Sequence, residues 1–186
     1  GIRVLDFSMF LAGPYCTRLM ADMGAEIIKV EPPAGDFLRN APPFRDGRSA
    51  YFGHINCGKK SLQLDLKSAK GVEAIRRLIP SVDVVLENYR PGVMARLGLD
   101  YDTLSALRPE LVYCSISGYG QTGPGSLRPA FAPIIHAASG YDLIMMGYQK
   151  GERSPGDAPP PARTTVADIL GATHALGAIN AALVQR

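Results

Sequence analysis

The chain has 186 residues and a mass of 19.9 kDa, with 46% hydrophobic and 20% charged residues. This is ordinary globular composition, long enough for one substantial core. The 20 glycines and 15 prolines promise many ordered turns and exclude a helical bundle, a coiled coil and a disordered or collagen-like chain. A net charge of +3 is too small to indicate nucleic-acid binding but permits a local anion site. No stretch approaches 18 uncharged apolar residues, so no membrane span is expected.

Residues Ile2–Phe7 read as a short buried strand. Pro14 sits where a helix can begin, Arg18, Leu19, Met20 and Met23 continue it, and Gly24 ends it. Ala25–Val30 is a second strand, and strand–helix–strand with glycine punctuation opens a βαβ unit. Residues Glu31–Asn56 hold two Pro-Pro pairs and isolated charges; they read as a long ordered excursion, partly over a binding surface. Ser61–Leu66 alternates polar and apolar residues only briefly. Ser68–Ile79 is helical in pattern, with Val72, Ile75, Leu78 and Ile79 on one face. Asp83–Glu87 is the next strand, followed by short helices around Gly92–Leu97 and Tyr101–Leu107 and a fourth strand at Leu111–Ile116. Gly118–Pro133 is again rich in glycine and proline. Residues 134–143 read as helical up to a turn near Gly140, and Gly147–Pro161 as a polar loop. The last helix starts near Thr165 and carries Val166, Ile169, Leu170, Leu176, Ile179 and Leu183. The expected fold is α/β, one domain with a mostly parallel sheet, no internal repeat and no second hydrophobic centre.

Ligands of open α/β sheets bind outside the carboxyl ends of the strands. Three segments there stand out: Phe7–Pro14, Asn88–Gly92 and Ser117–Pro124. Asn88, Tyr89 and Arg90 put an amide, an aromatic ring and a guanidinium in consecutive positions, with Arg96 a turn or two further along. Such a set can clamp a phosphorylated nucleotide; a solvated turn with Pro91 starting a helix is the plainer account. No GxGxxG follows the first strand and no GxxxxGK[ST] occurs. Asn56, Lys59 and Lys60 can meet phosphate or form a solvated basic turn. Cys16, Cys57 and Cys114 suit neither a disulfide framework nor a metal site, and a reducing compartment is the simpler reading. His54, His136 and His174 have no recognised metal spacing, and no GxSxG elbow is present, so no histidine-dependent site is supported.

Asp168 starts an otherwise apolar helix. Thr165 and Asp168 have capping-box spacing, which gives the carboxylate a structural role. The same helix terminus favours an ionised carboxylate, which can serve as a covalent nucleophile.

Taken together, the segments RVLDFSMFLAGPYCTRLMADMGAEIIKVEPPAGDFLR, YFGHINCGKKSLQLDLK, DVVLENYRPGVMARLGLDYDTL, PELVYCSISGYGQTGP and ADILGATHALGAINAAL resemble the N-terminal part of the family III (CaiB/BaiF-type) CoA-transferases. That family also includes formyl-CoA transferase and α-methylacyl-CoA racemase. The likeness covers essentially all of residues 1–186 and implies the N-terminal part of a Rossmann-like, CoA-binding large domain, the small domain lying outside this sequence. It implies transfer of CoA from an acyl-CoA to a free carboxylic acid through an aspartyl-CoA thioester, in an interlocked homodimer. No prosthetic group is implied, nor a nucleic-acid or membrane partner; a cytoplasmic location is expected. The sequence starts at Gly1 in a strand-like run and stops inside a helical pattern, so no signal peptide is expected, and a piece of a longer enzyme, incomplete as a catalyst, is expected.

By the same resemblance Asp168 matches the catalytic aspartate, and Asn88, Tyr89, Arg90 and Arg96 the CoA clamp. Ala12 matches a backbone contact near CoA, and Arg39 and Lys59 positions near the nucleotide or phosphates. The racemase branch carries a His-Asp pair where this sequence has Phe131 and Ala132, which favours transfer over racemisation. Leu11 replaces a glutamine of formyl-CoA transferase, which speaks against oxalate or formyl specificity. Racemase or isomerase chemistry, and a non-catalytic CoA-binding or dimerisation domain, are the alternatives.

Overall fold

The computed structural model describes residues 1–148, 156–159 and 164–186. The polar loop expected over Gly147–Pro161 lies mostly outside them. Five parallel strands form one sheet: β1 (Arg3–Asp6), β2 (Glu26–Glu31), β5 (Lys60–Gln63), β6 (Val84–Glu87) and β7 (Val112–Ser115), in the order β5-β2-β1-β6-β7. Val4 pairs with Ile27 on one side and Val84 on the other. The chain first builds outward from β1 through β2 to β5. It then returns to lay β6 against β1, so the order reverses between β1 and β6.

The period of two along the strands divides the core between the sheet's faces. Leu5 and Val85 point to one face, where they meet Ile75 of α3 (Ala69–Leu78), Met94 of α4 (Val93–Leu97) and Leu104 of α5 (Tyr101–Ser105). Val4, Val84 and Leu86 point to the other, against Cys16 and Met20 of α1 (Ala12–Asp22) and Ala172, Ala175 and Ile179 of α8 (Val166–Gln185). The architecture is thus helix–sheet–helix, the expected α/β class. Its apolar interior forms two clusters on one sheet, where the sequence suggested one centre.

One strand was not expected. The brief alternation after Lys60 is a fifth strand, β5, paired in register with β2 from Ile28↔Lys60 onward. It is an edge strand whose residues are largely exposed, so it lacks the apolar run that marks its neighbours. The excursion between β2 and β5 contains a 3-10 turn (Phe37–Asn40), a two-stranded ribbon of β3 (Phe44–Arg45) and β4 (Arg48–Ser49), and α2 (Ala50–Ile55). Near residue 140 the helix is interrupted: α6 (Ala132–Ala138) ends and α7 (Tyr141–Gly147) begins after Gly140, whose φ of 76° opens the turn.

Helix α8 is apolar nearly all round, with a mean hydropathy of 1.3 over its best window. By length and composition alone it could cross a membrane, unlike the sequence expectation. Here one face is built into the core, while Ile169, Leu170 and Val184 stay exposed.

The carboxyl ends of β1 and β2 rest on buried charge. Asp6 is fully buried. It accepts hydrogen bonds from Thr17 Oγ1 (2.6 Å), Ser8 N–H (2.9 Å), the Ser8 hydroxyl and Lys59 Nζ (3.0 Å). Lys29 Nζ donates to Ser8 O at 2.7 Å and pairs with Asp36 at 2.9 Å. Burial works to raise the Asp6 pKa, but the Lys59 and Lys29 ammoniums and the two hydroxyls outweigh it and hold the carboxyl below its ordinary value. A depressed carboxyl contributes stability above its unfolded pKa, and that stability is lost as pH falls through the folded pKa. Removing one partner of such a pair strands the other charge, at a cost of about 3–5 kcal/mol. Lys59→Met should therefore lower the urea midpoint by a corresponding amount with an unchanged m value.

Candidate active site

A cavity of about 220 Å³ opens at the reversal point between β1 and β6. Its walls include Ala12, the Asn88–Pro91 turn after β6, Ile116–Gly118 after β7, Arg128, Phe131 and Ala132, and Ala167, Asp168 and Gly171 from α8. All three strand-following segments singled out from sequence contribute to it.

Close backbone approach shapes the cavity. Gly13 lies so near the turn after β1 that a Cβ there would fall 2.2 Å from Ser8 Cβ; at Gly118 it would fall 2.0 Å from Ala130 Cβ. Neither position admits a side chain without displacement. Phe10, between Ser8 and Gly13 in the β1–α1 turn, takes a left-handed φ of 63°, uncommon for a bulky residue.

The Asn88 side chain joins the two edges of the crevice. It accepts Met9 N–H at 2.8 Å and donates to Met9 O at 2.8 Å. Its amide is therefore spent on positioning the turn. Glu87, buried beneath it, accepts Tyr89 N–H at 2.7 Å, and burial raises its pKa against the pull of Ser115 and that N–H. Tyr89 packs on the core. Arg90 is exposed at the cavity wall and makes no ion pair among the described residues. Arg128, which the sequence reading did not single out, is a second cation on that wall. Its place in a Gly/Pro-rich segment gave no periodic signal.

The remaining sequence candidates lie elsewhere. Arg96 lines a separate cleft with Lys67, Glu73 and Arg76, and its Nη1 lies close beside Gly92. Arg39 grips Glu31 through two hydrogen bonds of 2.6 Å and lies over the Phe52 ring at 4.0 Å. Burial favours the protonated form of Glu31, but Arg39, the Ser61 hydroxyl and Asp36 N–H reverse this and bring it down to about 2. Lys59 corrects its expected role. Its side chain is 2% exposed, and its ammonium donates to Asp6, Pro14 O and Asn56 Oδ1. It is a strut beneath the crevice, its hydrogen bonds made within the protein.

Asp168 stands in the first turn of α8, half-buried in the cavity wall. The capping box suggested by the sequence does not form, for Thr165 makes no side-chain cap hydrogen bond. Burial raises the Asp168 pKa, and this exceeds the opposing effects of His136 and the residue's own N–H. The helix terminus therefore does not depress it. Tyr51 of α2 reaches the same neighbourhood: burial and then the Asp168 charge raise its hydroxyl pKa, so the excursion does approach the site.

Across residues 1–186 the chain matches CoA-transferase family III. It belongs to that family. It is 42% identical over its whole length to "Succinyl-CoA:glutarate CoA-transferase" of Mus musculus, spanning 42% of that protein. It is also 42% identical to "Succinate--glutarate CoA-transferase" of Agrobacterium fabrum, spanning 46% of it. Among solved structures, a CAIB/BAIF family protein from Brucella suis superposes with a TM-score of 0.88 at 37% identity, over 100% of this chain and 49% of the other. The chain thus spans less than half the length of these relatives.

The geometry of this family III domain separates the two structural roles open to Asp168. A raised carboxyl favours folding only below its unfolded pKa, and that contribution is lost as pH rises through the folded value. The ionised form of this side chain is accordingly the one the fold disfavours. Asp168→Asn should melt at or slightly above the wild-type temperature in calorimetry at pH 7. A capping carboxylate would instead show a loss of about 1 kcal/mol.

Proposed function

We propose that the protein of which this chain is part transfers CoA from an acyl-CoA to a free carboxylic acid, with Asp168 as the covalent nucleophile. The observation that carries this reading is the half-buried Asp168 carboxylate in one cavity wall with the Asn88–Arg90 turn. The names of its relatives support the transferase class and suggest succinyl-CoA and glutarate as a first donor and acceptor pair.

In this mechanism an Asp168 oxygen attacks the thioester carbonyl. The C–S bond breaks, leaving an aspartyl–acyl anhydride and CoA thiolate. The thiolate attacks the Asp168 carbonyl, forms an aspartyl-CoA thioester and releases the first acid as its carboxylate. The acceptor carboxylate then attacks that thioester, expelling thiolate and forming a second anhydride. Thiolate attack on its acyl carbon gives the new acyl-CoA and regenerates Asp168. Each bond made resembles the bond broken, so the thioester's free energy is retained. A carboxylate suits the task because it leaves readily from an anhydride, whereas serine would stall as an ester. Burial makes Asp168 more basic and shields it from water, and N–H groups of the first turn of α8 are candidates to stabilise the oxyanions.

In the same reading Arg90 binds phosphate at the cavity wall, and Arg96, with Lys67 and Arg76, receives other phosphates in the separate cleft. Phe131 and Ala132 line the cavity without a proton-transfer group, which favours transfer over racemisation. The exposed apolar residues of α8 are consistent with an interlocked homodimer.

With succinyl-CoA and glutarate, the intact D168N enzyme should bind CoA normally and lose nearly all transfer. R90A should weaken CoA binding by about 1.5–3 kcal/mol, the range for a hydrogen bond to a charged group, measured by calorimetry. Wild-type turnover in D168N would overturn the nucleophile assignment, and unchanged affinity in R90A would remove that residue from the site.

A further inference from the structure

The first N–H groups of a helix need acceptors from outside it, and an N-cap side chain normally supplies one to the second or third helical residue. In α8 the N-cap position belongs to Thr165, with φ −91° and ψ 59°, and its hydroxyl caps nothing. The acceptor comes instead from another helix. His136 of α6 receives Ala167 N–H on Nε2 at 3.1 Å. Ala167 is the second residue of α8 and Asp168 the third.

The imidazole is built into place. His136 is 3% exposed, and its ring packs on Tyr141, centroids 4.8 Å apart and planes 43° apart. Ala132 and Ile135 of α6 line the same cavity as Ala167, Asp168 and Gly171 of α8. The contact between the two helices is therefore also a wall of the site. A ring nitrogen accepts an N–H through its lone pair, which the tautomer protonated on Nδ1 provides.

We propose that His136 is a positioning residue for Asp168: its Nε2 replaces the missing N-cap of α8 and fixes the first turn of that helix so that the carboxylate faces the cavity. This rests on Asp168 being the nucleophile. His136 touches no reacting atom; it acts through the Ala167 N–H and the peptide that follows. Misplacing a nucleophile by about 1 Å can cost about 100-fold in rate, so the effect belongs in kcat.

The test compares variants of the intact enzyme with the same donor and acceptor. H136F and H136M remove the nitrogen acceptor while keeping bulk, and both are made so that one folded protein suffices. H136Q keeps an acceptor near the position of Nε2. The folded H136F or H136M protein should lose about 10- to 100-fold in kcat with KM for the acyl-CoA little changed, and H136Q should restore most of kcat. Adding T165D to H136F, which gives α8 its own cap, should also recover activity. Wild-type kcat in H136F or H136M, or equal impairment in H136F and H136Q, would overturn the proposal. D168N run alongside separates the two failures. Its wild-type turnover would sink the nucleophile reading, while its inactivity beside a fully active H136F would sink the role of His136 alone.

Discussion

The site depends first on the buried Asp6 carboxylate at the end of β1. Its two oxygens gather the turn after the strand, the first turns of α1 and the Lys59 ammonium from the far end of the excursion. Lys29 extends the arrangement to Asp36, and Glu31 carries it to Arg39 and Ser61. Carboxyl ends of parallel strands, where a ligand crevice forms, offer little apolar surface to pack. Here paired charges hold the backbone instead, and the low-dielectric surroundings make each pair costly to break from one side. That support lets Gly13 crowd Ser8 and lets Phe10 keep a left-handed φ, and so brings Ala12 to the cavity.

The sheet was legible at β1, β2 and β6, where burial imposed branched apolar residues, and at the half-buried β7, where Val112 and Tyr113 favour a strand. It failed at β5, whose edge position leaves KSLQ polar enough to pass for a loop. The Asn88–Arg90 turn was legible because its chemistry is contiguous and follows a strand. Lys59 was not, since one lysine letter serves a phosphate ligand, a solvated turn and a buried strut equally well. The capping-box spacing at Thr165 and Asp168 pointed to a local bond, whereas the actual acceptor sits 31 residues earlier on another helix. No spacing rule within α8 could reveal it.

Position and burial together give Asp168 its character. The first turn of a helix usually favours a charged carboxylate, yet desolvation prevails here and leaves it more basic than a surface aspartate. The cost to the fold is borne by the surrounding core, in which Ala172, Ala175 and Ile179 of the same helix are anchored against α1 and the sheet. The helix, its first turn bonded to a neighbouring helix, presents this carboxylate at the cavity wall.

The most direct measurement is chemical trapping of the intact protein. Enzyme incubated with donor acyl-CoA is treated with hydroxylamine, digested and mapped by mass spectrometry. The account predicts a hydroxamate on Asp168 that requires the acyl-CoA and is absent from D168N. Turnover with no adduct at Asp168, or with the adduct on another residue, would contradict it.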